Sequence, residues 1–248
     1  MQKKTIAYFM LILSSNLLAQ QNYDVNQNMN RVVSSVDFSR VQFGIKITPA
    51  ISWINAIHND MQAEGATMKF GVGAVANYPL TSILSLVSGI NYHGFGGYVF
   101  DNKSLSYTDT LSSYKLNYTE IEIPFALKIQ TLPLNKTSYF LQGGFSIGFI
   151  TSANEKRFPT TAKAKPVYEN LNLYTNPTRI SYQLGAGMEY SIGRKSNIFA
   201  LISYNSAISN IANSNNYTSI IPPNSTARYY SPIEILPGSM EFAVGIMF

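Results

Sequence analysis

The 248-residue chain contains no cysteine. A disulfide framework, a thiolate metal site and a cysteine nucleophile are therefore excluded, and stability must come from burial and backbone hydrogen bonding. Charge is scarce as well. Asp, Glu, Lys and Arg make up 12% of the residues, roughly half the share of a soluble domain. Removing Lys3 and Lys4 from the 18 Lys+Arg leaves 16 against 13 Asp+Glu, a formal +3. That excess is scattered, with no Lys/Arg run of the kind that tracks phosphates, which argues against nucleic acid as a partner. Beyond the first residues no stretch is apolar enough for a transmembrane helix.

The amino-terminal residues read as an address. Lys3 and Lys4 precede an apolar run from Ile6 to Leu13, and SSNLLA precedes Gln20. Residues 1–19 are expected to form a signal peptide cut near Ala19, so the chain is exported. With no cysteine after the apolar run, a lipoprotein anchor is not expected. Residues 20–39 are rich in Asn, Gln and Ser without a sustained period, and are expected to be a flexible periplasmic segment or a short plug.

What the chain has in quantity is aromatic residues, 17 Tyr and 14 Phe, and alternation with period two. Side chains of a strand point alternately to its two faces. Phe43, Ile45 and Ile47 oppose Gln42, Gly44 and Lys46 in the first such run, Val41 to Ile54. Seven more follow, around 69–78, 83–100, 114–130, 139–149, 180–190, 197–208 and 239–248. The seventh is the least regular, with both faces partly apolar. Links of PLTS, TLPLNK and GRKS alternate strictly with the long ones 55–66, 101–113, 151–178 and 209–238. Residues 40–248 are therefore predicted to be all-β: an eight-stranded antiparallel transmembrane up-and-down β-barrel with short periplasmic turns and long extracellular loops.

Alternation does not say which face points inward, and a soluble lipocalin-like barrel is the rival. Glycine decides. Gly44, Gly71, Gly73, Gly89, Gly144, Gly148, Gly185, Gly187 and Gly245 all fall on the polar faces. Exposed strand is a poor place for so much glycine, whereas a narrow lumen needs small residues beside long charged ones. Polar inside and aliphatic outside is the membrane arrangement.

On that assignment Lys46, Lys69, Glu120, Glu122, Lys128, Glu189 and Glu241 share one lumen. Confined charges must pair, so a plugging Lys–Glu network is expected, with a narrow porin-like channel as the alternative. Pro124 interrupts the fourth inward row and suggests a bulge or an unpaired carbonyl. His93 is expected to face inward and His58 to lie in the first long loop. Neither has a framing nucleophile or a carboxylate at ligand spacing, so no catalytic, metal or cofactor residue is assigned.

Two resemblances add to this reading. The ending SMEFAVGIMF resembles the last strand of bacterial outer-membrane barrels, where such a strand addresses the chain to the barrel-assembly machinery. That implies an assembly role for Phe242, Val244, Ile246 and Phe248. The stretch Tyr118 to Lys128, YTEIEIPFALK, resembles the Y-x-E-I-P-x-x-L-K signature of PorT-like outer-membrane barrels, with one extra Glu-Ile step. FGVGAVANYPL (70–80), SGINYHGFGG (88–97) and GAGMEYSIG (185–193) agree with it. The resemblance implies a barrel in the outer membrane of a Gram-negative bacterium, embedded in its lipid, and a link to type IX secretion; with no catalytic constellation in the sequence, the barrel is expected to be non-enzymatic. Tyr168, Tyr174, Tyr217, Tyr229 and Tyr230 in the last two long loops are candidate contacts for a protein partner.

Overall fold

The computed structural model describes residues 41–57, 61–101, 112–158, 167–193, 196–213 and 234–248. The signal and lead-in segments, His58, Tyr217, Tyr229 and Tyr230 lie outside the described residues.

The strands in chain order are β1 (Gln42–Ile57), β2 (Met61–Pro79), β3 (Leu84–Asp101), β4 (Ser112–Gln130), β5 (Thr137–Phe158), β6 (Val167–Asn170), β7 (Thr178–Ser191), β8 (Asn197–Ala207) and β9 (Glu234–Met247). All except β6 form one closed ring, each pairing antiparallel with the next, and β9 returns to β1. The closing seam runs from Gly44 opposite Met247 to Ile57 opposite Glu234. Below it Phe43 and Phe248 exchange N–H···O bonds of 3.1 and 2.8 Å. Closure removes both sheet edges, which lipid demands because it offers no hydrogen bonds.

The eight predicted runs are the eight ring strands, yet pairing outlasts the sequence alternation. β5 continues to Phe158, where its end takes up β6, and a 3-10 turn follows at Asn172–Tyr174. The link predicted over 151–178 is thus partly strand. Likewise β1 and β2 extend to Ile57 and from Met61 into the first link. The physical reason is that apolar alternation marks only the lipid-facing part of a strand, while backbone pairing has no such requirement.

Burial settles the orientation of the faces. Phe70 (69%), Phe145 (62%) and Ile47 (60%) lie exposed on the outside, whereas Glu120, Ser146 and Ser181 are each 0% exposed. This is the reverse of a soluble barrel.

The irregular seventh run becomes intelligible on β8. Phe199 and Leu201 point inward and join Phe140, Ala243 and Met247 in an apolar cluster at the turn end of the barrel. A Cβ at Gly187 or Gly245 would strike the rings of Phe140 or Phe199, so two of the inward glycines are the space those rings fill. At the loop end a second cluster gathers Ile54, Phe95, Val99, Leu116, Tyr118, Ala153 and Ile235 with Leu171 and Ile211 from the links.

Pro124 differs from the expectation of a bulge. The β4–β5 register runs through it without a shift (Pro124 opposite Ser146), and the shift lies instead at Thr119/Glu120. On the other side the β3–β4 pairs skip Ile123 and Pro124, and the Ser88 hydroxyl donates to the Pro124 carbonyl at 2.9 Å.

Candidate functional site

Between the two apolar clusters the inward side chains are polar and buried. Glu120 and Glu122 are neighbours on the inner face of β4. The register sets Asn91 and His93 of β3 opposite Glu122 and Glu120, and Gly148 of β5 opposite Glu122 on one side and Arg179 of β7 on the other. Gly148 has no side chain, and a Cβ there would run into the Glu120 carboxylate. Glu120 therefore lies across β5 and meets Arg179.

The contacts are dense. Arg179 Nε donates to Glu120 Oε2 at 3.0 Å, and its Nη2 donates to Oε1. Fork-on-carboxylate pairing of this kind is the strongest form of ion pair. His93 Nε2 lies 2.6 Å from Glu120 Oε1 and 3.9 Å from Glu122 Oε2. Glu122 accepts from Asn91 Nδ2 (2.9 Å) and Asn205 Nδ2 (3.4 Å), and Arg179 Nη2 approaches its Oε1 to 3.7 Å. The Ser146 and Ser181 hydroxyls bond at 2.6 Å. The guanidinium also stands over the Phe95 ring, 4.8 Å from its centroid, and Phe95 stacks on Tyr118 at 5.0 Å. The upper apolar cluster thus rests directly on the ion pair.

The remaining predicted lumen charges are one pair and three single residues. Lys128 pairs with Glu189 across β5, and its ammonium lies 4.6 Å from the Phe140 ring centroid, at the lower cluster. Glu241, buried on β9, accepts from Ser239 Oγ at 2.9 Å. Lys46 is half-buried between its register partners Gly73 and Gly245. Lys69 departs from the expectation. Its Nζ donates to Asn117 Oδ1 at 2.7 Å, and Asn117 alternates with Leu116 and Tyr118, which face the buried cluster. The cause is a register shift between Ala66 and Gly71 of β2.

Arg179 escaped sequence reasoning, and so did the partners of His93, whose inward facing was expected. Arg179 stands one residue before the run that begins at Ile180; extending the alternation through Ser181 would have placed it inside. The linear sequence sets no carboxylate beside His93, but the fold does, with the ligand atoms of His93, Glu120 and Glu122 all within 4.8 Å of one another. That trio could offer a cation three ligands, yet Arg179 already holds both Glu120 oxygens. The cluster's chemistry is internal charge pairing.

Of the assembly residues, Phe242, Val244 and Phe248 are exposed on the outer face, and Ile246 is partly covered. Tyr168 on β6 is 71% exposed. Tyr174 falls in the 3-10 turn, and its side chain lies outside what is described.

A closed antiparallel barrel with an aliphatic exterior and a buried polar interior defines an integral outer-membrane protein. The chain belongs to the outer membrane protein beta-barrel domain family, whose model matches residues 19–213. No curated protein matches the sequence. Among solved structures it is similar to Neisserial surface protein A (12% identity, covering 83% of this chain and 97% of that one, TM-score 0.43). It is also similar to OprG from Pseudomonas aeruginosa (10%, 84% and 96%, 0.45) and to the outer membrane protease OmpT from Escherichia coli (9%, 86% and 98%, 0.45).

Proposed function

We propose that this protein is a non-enzymatic outer-membrane barrel with a closed lumen, working as a structural or secretion-associated component in the manner of PorT-like proteins. The reading is carried by one observation. The Arg179–Glu120 pair is buried between two apolar clusters that occupy the lumen at either end. A water-filled bore would hydrate that pair and leave Phe140, Phe199 and Phe95 facing solvent. Eight strands enclose little more than their own side chains.

The lack of enzymatic activity is supported by the site itself. Arg179 holds both Glu120 oxygens and His93 faces the same carboxylate between two apolar clusters, so these charges are engaged with one another. The long loops then supply the working surface, with Tyr168 as an exposed contact.

Liposome swelling tests the closed lumen. Vesicles carrying the protein should shrink and stay shrunken in small sugars, and rapid re-swelling would favour the porin-like reading. Co-purification from native membranes tests the secretion role, and a barrel recovered without any secretion component would remove it.

A further inference from the structure

One rung of the sheet sets two like charges directly opposite each other. Tyr98 of β3 is opposite Lys115 of β4, Lys115 is opposite Lys156 of β5, and Lys156 is opposite Tyr168 of β6. Four strands thus present a Tyr–Lys–Lys–Tyr row. The row faces outward, because Lys115 alternates with buried Leu116 and Tyr98 with buried Val99. Directly opposed side chains on one face stand about 5 Å apart at Cβ, and like charges so placed are destabilising. Among the described residues neither amine has a carboxylate within 4 Å. Glu64, the acidic side chain one rung further along, accepts instead from Ser113 Oγ.

The lysines are held by rings. Lys115 Nζ lies 5.3 Å from the Tyr98 ring centroid, and Lys156 Nζ lies 5.1 Å from that of Phe158 and 5.3 Å from that of Tyr168. The rung below adds amides, with Asn117 opposite Asn154 and Asn154 opposite Asn170. Lys69 donates to Asn117 there and brings a third cation. Cations, amide donors and flanking ring faces are what an anionic sugar needs: charge for its oxyanion, donors for its hydroxyls and aromatic faces for its ring.

Position chooses the source. Lys115 lies six residues beyond Ile121, the last exposed aliphatic residue of β4 on the loop side, which is roughly 20 Å along a strand. Long loops mark the extracellular end, so the row sits on the outer wall above the hydrocarbon layer. A wall facing sideways at that height meets the saccharide of neighbouring lipids.

We propose that the Tyr98–Lys115–Lys156–Tyr168 row, with Lys69 and the asparagine rung, binds the phosphorylated saccharide of an outer-leaflet glycolipid. The binding relieves the repulsion between the two opposed lysines. This site lies outside the lumen, and its standing is independent of whether the lumen is closed.

The test uses the full chain in neutral detergent, titrated with lipopolysaccharide, with its enzymatically dephosphorylated form, and with a soluble sulfated oligosaccharide. Retention is read by native mass spectrometry and unfolding temperature is followed in parallel. Lipopolysaccharide should bind the native protein, and Lys115→Gln/Lys156→Gln should weaken that binding about tenfold or more. Lys136→Gln, at an exposed turn on the opposite end, should bind as the native protein does. Without glycolipid the double variant should unfold at the same or a higher temperature, because repulsion has been removed. Undiminished binding by the double variant, or equal binding of the dephosphorylated form, would overturn the proposal. So would a lower unfolding temperature of the lipid-free double variant, or binding of the soluble oligosaccharide in place of the glycolipid.

Discussion

Arg179 and Glu120 form a forked ion pair although their strands are not neighbours. β5 runs between β4 and β7, and the pair closes over it because Gly148 leaves the space empty. The pair therefore ties three strands together at mid-barrel, where both partners are almost wholly buried.

Breaking the pair from one side should be costly. Arg179→Met strands the Glu120 carboxylate in the interior, and an uncompensated buried charge costs about 3–5 kcal/mol. Arg179→Met/Glu120→Met removes both charges and should recover most of that loss. Urea unfolding in detergent, followed by the fluorescence of the single tryptophan, Trp53, measures both variants. A single variant as stable as the native protein would show that the pair is hydrated.

Gly148 should tolerate no side chain. A Cβ there collides with the Glu120 carboxylate, so Gly148→Ala is expected to cost about 1–3 kcal/mol, the usual penalty of overpacking. Gly193 is the matched control, since a Cβ there meets nothing within 4 Å, and Gly193→Ala should leave the unfolding midpoint in place.

Ser88 should matter through one hydrogen bond. Ser88→Ala removes the donor to the Pro124 carbonyl, and leaving that acceptor unmet should cost about 1–3 kcal/mol. Ser88→Thr keeps the hydroxyl and should recover much of the loss. Equal stability of Ser88→Ala and the native protein would show that the carbonyl finds another donor.

Phe248 lies at the seam, exchanging backbone bonds with Phe43, and its ring is exposed on the outer face. Deleting it should lower the amount of barrel reaching the outer membrane while leaving the unfolding midpoint of refolded protein within about 1 kcal/mol. Quantitative immunoblotting of membrane fractions, set beside the refolded midpoint, separates the two effects. Normal membrane levels would show that the terminal ring is dispensable for assembly.

The strands and their facing were legible because lipid imposes a period-two pattern on any strand that crosses it. Ile45, Phe70 and Phe145 could hardly have pointed elsewhere. The lumen was legible only in composition. Glu120 and Glu122 could be placed inside, but their partners lie on β3, β7 and β8, and linear spacing says nothing about which inward residues share a height. The Lys69–Asn117 bond goes with a register shift in β2, which is invisible to alternation. Strand extensions beyond the lipid were hidden because their outer faces are polar and resemble loop sequence.

Whether the lumen is closed decides between a sealed barrel and a porin-like channel, and conductance measures that directly. Purified protein inserted into planar bilayers should give no steady current at moderate voltage. Reproducible open steps from the native protein would mean that water and ions pass the Arg179–Glu120 layer, and would contradict the account.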